Sequence, residues 1–190
     1  MATVKIAVFA SGSGSNFQAI QEAILRGELD ATIDVVVTDK LGAYVVTRAE
    51  GFGIPVLELA PKTFESKAHY EQAIVDELKE RGIEWVVLAG YMRLVGDVLL
   101  GAYKNRIINI HPSLLPSFPG KDAIGQAFAH GVKVTGVTVH YVDAGMDTGP
   151  IIAQAAVDVV EGDLAATEAR IHEIEHVLYT KTLKQLFGSK

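Results

Sequence analysis

Five short, almost wholly apolar segments recur along the first 110 residues, and they constrain the fold more than any other feature. These predicted strands cover residues 4–10, 32–37, 54–59, 85–89 and 106–110. Short segments that are apolar at nearly every position are typical of a parallel sheet, because helices cover both of its faces. Segments with helical periodicity separate them, at residues 16–26, 43–51, 66–81 and 97–102. This alternation predicts an α/β fold with a doubly wound, Rossmann-like sheet.

The last third of the chain follows a different pattern. Residues 134–141 alternate as a strand does, and residues 151–159 form a second strand-like segment after the long loop 143–149. Loops of this length inside a compact domain are often functional. An amphipathic helix is predicted at about residues 164–187. We therefore expect one domain over residues 1–190, with a mostly parallel sheet, helices on both faces and an antiparallel pair of C-terminal strands.

Composition excludes several functional classes. The net charge is −6, and no cluster of lysine and arginine provides the basic surface that binds nucleic acid broadly. The chain contains no cysteine, which excludes disulfides, thiolate chemistry and cysteine-ligated zinc. No apolar segment approaches the roughly 18 residues of a membrane helix, and no secretory leader is visible. We expect a cytoplasmic protein that acts on small molecules, with no membrane or nucleic-acid partner, as a monomer or a homodimer.

The fifth predicted strand ends in Asn109-Ile110-His111, directly before Pro112. Residues two apart on a strand point to the same face, so the Asn109 amide and the His111 imidazole would lie side by side. They would do so at the carboxyl end of a strand, where open α/β sheets keep their sites. An amide that can bind an oxyanion, beside a group that titrates near neutral pH, favours acyl transfer.

A glycine loop, Gly12-Ser13-Gly14-Ser15-Asn16, joins the first predicted strand to the first helix. Its backbone N–H groups and the helix N-terminus would suit a phosphate monoester. Dinucleotide binding remains an alternative, because Asp39 follows the second strand, although Phe17 occupies the third glycine position of that motif. A plain turn capped by Ser or Asn is the remaining interpretation.

The helix near the C-terminus contains His172-Glu173-Ile174-Glu175-His176, which matches the zinc-protease motif H-E-x-x-H. After His176 the sequence offers no Asp, Glu or His as a further ligand. The same residues also fit the polar face of a helix above an apolar stripe. We therefore expect no metal site.

Four segments together carry a resemblance to a known family. They are the glycine loop, Leu88-Ala89-Gly90-Tyr91-Met92-Arg93-Leu94, Asn109-Ile110-His111-Pro112-Ser113-Leu114-Leu115-Pro116 and Met146-Asp147-Thr148-Gly149-Pro150. In order and spacing they closely resemble the phosphoribosylglycinamide formyltransferases. The resemblance implies transfer of the formyl group of 10-formyltetrahydrofolate to the amine of 5'-phosphoribosylglycinamide. It also implies a phosphate-binding half over about residues 1–105 and a folate-binding and catalytic half over about residues 106–190.

Two alternatives stay open beside that reaction. Formyltetrahydrofolate hydrolase shares the His-Pro-Ser-x-Leu-Pro element and passes the formyl group to water. A dinucleotide-binding module without catalysis would use the glycine loop differently. The loop favours the transferase over the hydrolase, because a water acceptor needs no phosphate site.

The resemblance assigns roles to individual residues. Asn109 and protonated His111 would donate hydrogen bonds to the tetrahedral oxyanion, and Asp147 would hold His111 charged and relay the amine proton. Gly14, Ser15 and Asn16 would bind the ribotide phosphate, and Glu175 would meet the amine. His140, on the alternating strand, would either support Asp147 or simply be buried. The folate would contact Lys67, Met92, Arg93, Leu94, Val95, Ala144, Gly145 and Met146. The family also implies a cis peptide bond at Leu115–Pro116.

Overall fold

The computed structural model describes residues 3–188, which form a seven-stranded sheet in the order β3-β2-β1-β4-β5-β6-β7. The strands are β1 (Val4–Phe9), β2 (Ala31–Thr38), β3 (Val56–Glu58), β4 (Trp85–Leu88), β5 (Ile107–His111), β6 (Val134–Tyr141) and β7 (Ile151–Asp158). The helices are α1 (Ser15–Leu25), α2 (Tyr44–Gly51), α3 (Lys67–Glu80), α4 (Asp97–Ala102), α5 (Ala123–His130) and α6 (Leu164–Gly188).

The direction of the strands confirms the predicted class of sheet. Strands β1 to β5 run parallel, while β6 is antiparallel to β5 and β7 is antiparallel to β6. The peptide bond between Leu115 and Pro116 is cis, as the family resemblance implied. None of the helices within residues 3–188 combines the length and the apolar character needed to cross a membrane.

The two faces of the sheet carry separate cores, which explains the continuously apolar strands. On β1, Ile6 and Val8 belong to a cluster that also contains Tyr179 of α6. Ala7 and Phe9 belong to a second cluster on the other face. All five side chains are fully buried, and burial of a large apolar side chain contributes roughly 1.5–3 kcal/mol. Helices therefore cover both faces, as predicted.

Two elements differ from the sequence-based prediction. The third strand is shorter than residues 54–59, because only Val56–Glu58 pairs with β2. Helix α5 was not anticipated. It spans eight residues and contains Gly125, so its helical signal is weak. Asp122 starts the helix from a left-handed conformation and accepts a hydrogen bond from the Gly125 N–H at 3.2 Å.

Tyr179 ties the C-terminal helix to the centre of the sheet. Its buried hydroxyl donates to the carbonyl oxygens of Leu88, at 2.7 Å, and Ile108, at 3.2 Å. Burial raises the pKa of Tyr179 well above its ordinary value, so the phenol remains a neutral donor. These carbonyls lie directly before the segments that begin at Ala89 and Asn109. The helix thus braces β4 and β5 where both approach the site.

Replacement of Tyr179 by phenylalanine is expected to lower the free energy of unfolding by about 1–2 kcal/mol, because two buried carbonyls lose a donor. Urea denaturation monitored by circular dichroism measures the effect. Tyr103→Phe is the matched control, because the Tyr103 hydroxyl is buried without a hydrogen-bond partner among residues 3–188. Equal losses in the two variants would contradict a specific role for the Tyr179 hydroxyl.

Candidate functional site

One cavity of about 440 Å³ opens at the carboxyl ends of β1, β4 and β5. Segments far apart in the sequence line it, namely residues 12–16, 88–95, 109–112, 120–124 and 145–147, together with residues of α6. Strand β6 contributes His140. The four segments that the sequence analysis singled out therefore converge on one cavity, at the sheet edge where open α/β folds bind ligands.

His111 lies at the end of β5 and is buried. Its Nε2 is 2.9 Å from the carbonyl oxygen of Phe118. A carbonyl can only accept, so Nε2 carries a proton. Nδ1 lies 3.6 Å from Asp147 Oδ2, a contact that is attractive when the ring is doubly protonated. The geometry thus places the Nδ1 edge of His111 opposite the Asp147 carboxyl group, while Nε2 is bonded to the backbone.

His140 fixes the side chain of Asn109. Strands β5 and β6 pair so that the two residues are direct neighbours. The His140 Nδ1 donates to the Tyr141 carbonyl at 2.8 Å, which leaves Nε2 as an acceptor for the Asn109 amide N–H at 3.3 Å. Burial lowers the pKa of His140 below its ordinary value, so the ring stays neutral near pH 7. The amide nitrogen of Asn109 is therefore oriented, and its other N–H is left for a ligand.

Asp147 is held in place by its loop. Its backbone is left-handed, with φ 55°, and its Oδ2 accepts a hydrogen bond from the Gly120 N–H at 2.8 Å. Its other oxygen lies 3.9 Å from His140 Nε2. Within the same loop, Asp143 accepts from the Gly145 N–H and the Thr148 hydroxyl. These bonds pre-organise the carboxylate between the two histidines.

The glycine loop leaves the N-terminus of α1 open. Gly14 is the N-cap, with φ 75°, and no side chain caps the helix. A Cβ on Gly14 would lie 2.6 Å from Val45, so both the conformation and the close approach require glycine. Arg48 donates to the Ser13 carbonyl at 2.6 Å and to the Gln18 side chain, and thereby holds the loop. The free N–H groups and the helix dipole make this terminus suitable for an anion.

Glu175 of α6 faces the glycine loop and is buried. It accepts hydrogen bonds from Asn16 Nδ2 at 3.4 Å and from His172 Nδ1 at 3.0 Å. The bond to Glu175 raises the pKa of His172 above its ordinary value. Asn16 Oδ1 is buried and has no hydrogen-bond partner among residues 3–188. The Glu175 carboxyl group, which lines the cavity, is therefore the acceptor available for an amine beside the anion site.

The other side of the cavity is apolar and partly exposed. Met92, Leu94 and Met146 are 60%, 48% and 57% exposed, an unusual degree for large apolar side chains. Gly145 and the buried Val95 also line the cavity, whereas Ala144 does not. These surfaces could cover a flat, apolar ring system.

Lys67 lies outside this cavity, in a neighbouring one of about 230 Å³. Arg93 lines both cavities, and Lys62 and Tyr70 are among the residues that line the smaller one with Lys67. Three cations around a small cavity favour an anionic group there.

Asp39, the acidic residue that a dinucleotide site would need, is not available to a ligand in the structure. Asp39 is buried, accepts a hydrogen bond from the Ser11 hydroxyl at 2.5 Å and lies 3.7 Å from Arg93. Its carboxylate is therefore engaged by the protein and does not line the cavity. Phe17, at the third glycine position, is fully buried in the core.

The H-E-x-x-H motif forms no metal cluster in the described part of the chain, where no group of three or more potential ligands comes together. Instead, His172 contacts Glu175, and His176 Nε2 is buried without a hydrogen-bond partner there. Sequence reasoning did not identify Arg48 or His172 as part of the site. Arg48 belongs to no recognisable motif. It reaches the site only because α2 packs against the glycine loop.

Comparisons with known proteins relate the chain to one family. A family model described as formyl transferase matches residues 4–183. The chain is 57% identical over 185 residues to the phosphoribosylglycinamide formyltransferase of Bacillus subtilis (strain 168), covering 97% of this chain and 95% of that protein. It is 39% identical to the human trifunctional purine biosynthetic protein adenosine-3, covering 95% of this chain and 18% of that protein. The crystal structure of glycinamide ribonucleotide transformylase 1 from Geobacillus kaustophilus superimposes with a TM-score of 0.96 at 56% identity, covering 98% of this chain and 100% of that chain.

Proposed function

This chain belongs to the formyl transferase family, and we propose that it formylates 5'-phosphoribosylglycinamide in purine biosynthesis, with 10-formyltetrahydrofolate as the formyl donor. One observation carries the proposal. An open helix N-terminus suited to a phosphate and an amide–imidazole–carboxylate cluster line the same cavity. A hydrolase of the same folate would need only the cluster, because water is its acceptor.

The ribotide would enter with its phosphate at Gly14, Ser15 and Asn16. The N–H groups at the start of α1 would bind the phosphate oxygens, and the helix dipole would favour their charge. The amine would then reach Glu175, which lies 3.4 Å from the Asn16 side chain. In this arrangement each end of the ribotide would meet a group of opposite charge.

The folate would occupy the apolar side of the cavity. Its pterin would lie between Met92–Val95 and Ala144–Met146, as the family resemblance implies. Its anionic tail would extend toward Lys67 and Arg93, which line the smaller cavity together with a third cation, Lys62. Lys67 would offer that tail a positive charge, but it lacks the bidentate hydrogen-bonding geometry of an arginine.

The reaction would proceed by attack of the amine on the formyl carbon. The carbonyl oxygen gains negative charge as the tetrahedral intermediate forms, and Asn109 and His111 would donate hydrogen bonds to it. His111 would do so through Nδ1, because its Nε2–H is bonded to the Phe118 carbonyl. The attacking nitrogen gains positive charge and loses a proton, which Asp147 would accept, directly or through water. Collapse of the intermediate would break the bond to the folate nitrogen, which takes a proton and leaves as tetrahydrofolate.

The two halves of the chain would divide this work. Residues 1–105 contribute the glycine loop, and residues 106–190 contribute Asn109, His111 and Asp147. Glu175, on the last helix, would bring the ribotide amine from the first half to the catalytic groups of the second. No metal takes part in the proposed steps.

The decisive experiment follows the ultraviolet absorbance of 10-formyltetrahydrofolate with and without phosphoribosylglycinamide. Formyl loss that requires the ribotide is the expected result. Loss at the same rate without ribotide would identify the hydrolase instead. If neither mixture reacts, equilibrium binding of NAD would test the dinucleotide alternative.

Replacement of Gly14 by alanine is expected to raise the KM for the ribotide by about 10- to 100-fold. The methyl group would strain a left-handed residue and meet Val45, so the anion loop must shift. Steady-state kinetics with saturating folate measures the change. Gly27→Ala is the matched control, because Gly27 has φ 74° and open space around its Cβ. An unchanged ribotide KM in Gly14→Ala would remove the loop from phosphate binding.

A further inference from the structure

Asp39 carries a buried charge that the proposed reaction does not use. It follows β2 directly, at the sheet edge that carries the site, and is 8% exposed. A carboxylate that leaves water is costly unless hydrogen bonds or opposite charges compensate it. Asp39 does not line the cavity, so its partners within the protein explain why it lies there.

The first partner is Ser11, which is 1% exposed. Its hydroxyl donates to Asp39 Oδ1 at 2.5 Å and accepts from the Met92 N–H at 2.9 Å. The Ser11 N–H donates to the Gly90 carbonyl at 2.9 Å. Because the hydroxyl donates to a charged acceptor, it becomes a better acceptor for the Met92 N–H. One serine therefore fixes both ends of the turn between Gly90 and Met92.

The second partner is Arg93, the next residue of the same segment. Its Nη1 lies 3.7 Å from Asp39 Oδ2. The guanidinium also lies over the ring of Tyr70, at 5.8 Å from the centroid. Each oxygen of Asp39 thus holds a different residue of the segment, one through Ser11 and one directly.

We infer that Asp39 is a positioning residue for the formyl donor, because with Ser11 it sets the Met92–Arg93 segment that would form one wall of the folate cleft. This inference rests on the proposed function, since it takes the ligand of that wall to be a reduced folate. Asp39 touches neither substrate, so its effect is transmitted through the backbone of Met92 and the side chain of Arg93. Ser11 directly precedes the glycine loop, so the same residue contacts the folate wall through its hydroxyl and continues into the phosphate loop through its backbone.

Binding of the two ligands separates this role from general stability. We would titrate tetrahydrofolate and phosphoribosylglycinamide separately into the wild type and Asp39→Asn by isothermal calorimetry. The asparagine keeps the shape and an acceptor for Ser11, but it loses the charge that faces Arg93. We expect tetrahydrofolate to bind about tenfold more weakly, as loss of a charged contact does. We expect ribotide affinity, binding stoichiometry and turnover at saturating folate to stay within about twofold.

Two further variants complete the test. Ser11→Ala leaves the Asp39–Arg93 pair intact but removes the acceptor of the Met92 N–H, and it should weaken tetrahydrofolate selectively as well. It carries the test alone if Asp39→Asn does not fold. Glu58→Gln is the matched control, because Glu58 ends the neighbouring strand β3 and its carboxylate accepts a hydrogen bond from the Gly42 N–H at 3.2 Å, away from the Met92–Arg93 segment. Glu58→Gln should change neither affinity.

The outcomes distinguish this inference from the proposed function. Unchanged tetrahydrofolate affinity in the folded variants, or equal weakening of both ligands, would overturn the inference. A wild type that binds no tetrahydrofolate would overturn it too. A wild type that binds tetrahydrofolate, with selective loss in Asp39→Asn, but transfers no formyl group would support the inference and refute the proposed reaction.

Discussion

Asn109→Ala is expected to lower turnover by about 100- to 1,000-fold, the usual cost of removing one oxyanion donor. The other N–H of the oriented amide is available for the developing negative charge, because His140 Nε2 accepts the first. Since that charge appears only during the reaction, both KM values should stay within a few-fold. Steady-state kinetics of formyl transfer, with each substrate varied in turn, measures this separation.

The control for Asn109 removes a side-chain amide from a surface position outside the cavity. Gln72 is exposed on α3, and its side chain donates to Asp76 on the same helix at 2.7 Å, so Gln72→Ala should have wild-type turnover. An Asn109→Ala variant within threefold of the wild type would eliminate Asn109 as an oxyanion donor. A rise in both KM values without a fall in turnover would assign it to binding instead.

Asp147→Asn is expected to lower turnover by about 100- to 10,000-fold, the range for loss of a general acid–base group. The asparagine can adopt the left-handed backbone of this position and still accept from the Gly120 N–H. It can neither stabilise a charged His111 nor accept the amine proton. Thermal unfolding should be nearly unchanged, and single-turnover measurements should locate the loss in the chemical step.

Asp143→Asn tests whether any acidic residue of this loop has the same effect. Asp143 lies four residues before Asp147 and accepts from Gly145 and Thr148, but it does not line the cavity. We expect turnover within a few-fold of the wild type. Similar losses in the two variants would mean that the loop conformation, and not the Asp147 carboxylate, limits the rate.

The sequence predicted those parts of the molecule that depend on local pattern. Continuous apolar strands predicted the two-faced sheet, and the two-residue spacing of Asn109 and His111 predicted their common face. The start of α1 after the glycine loop follows from glycine's backbone freedom. In each case the information lies within a few neighbouring residues.

The remainder depends on contacts between distant residues. Ser11 and Met92 are 81 positions apart, and no local pattern indicates that one holds the other. Asp39 matched the acid of a dinucleotide site by its position in the sequence, yet the structure commits its carboxylate to Ser11 and Arg93. Ala144 was expected to contact the folate, and it lies outside the cavity lining. The roles assigned to the site residues stay predictions that the variants above can test.

The pairing of β5 with β6 also bears on how such a chain can change in length. His140 meets Asn109 only because Ile108 pairs with Tyr141 and Ile110 pairs with Val139. Deletion of a single residue inside β6 would turn its side chains to the opposite face and bring an apolar residue to Asn109. Insertions in surface loops cost far less, because closure entropy grows slowly with loop length. We therefore expect this chain to tolerate changes of length in its surface loops far better than a change in the length of β6.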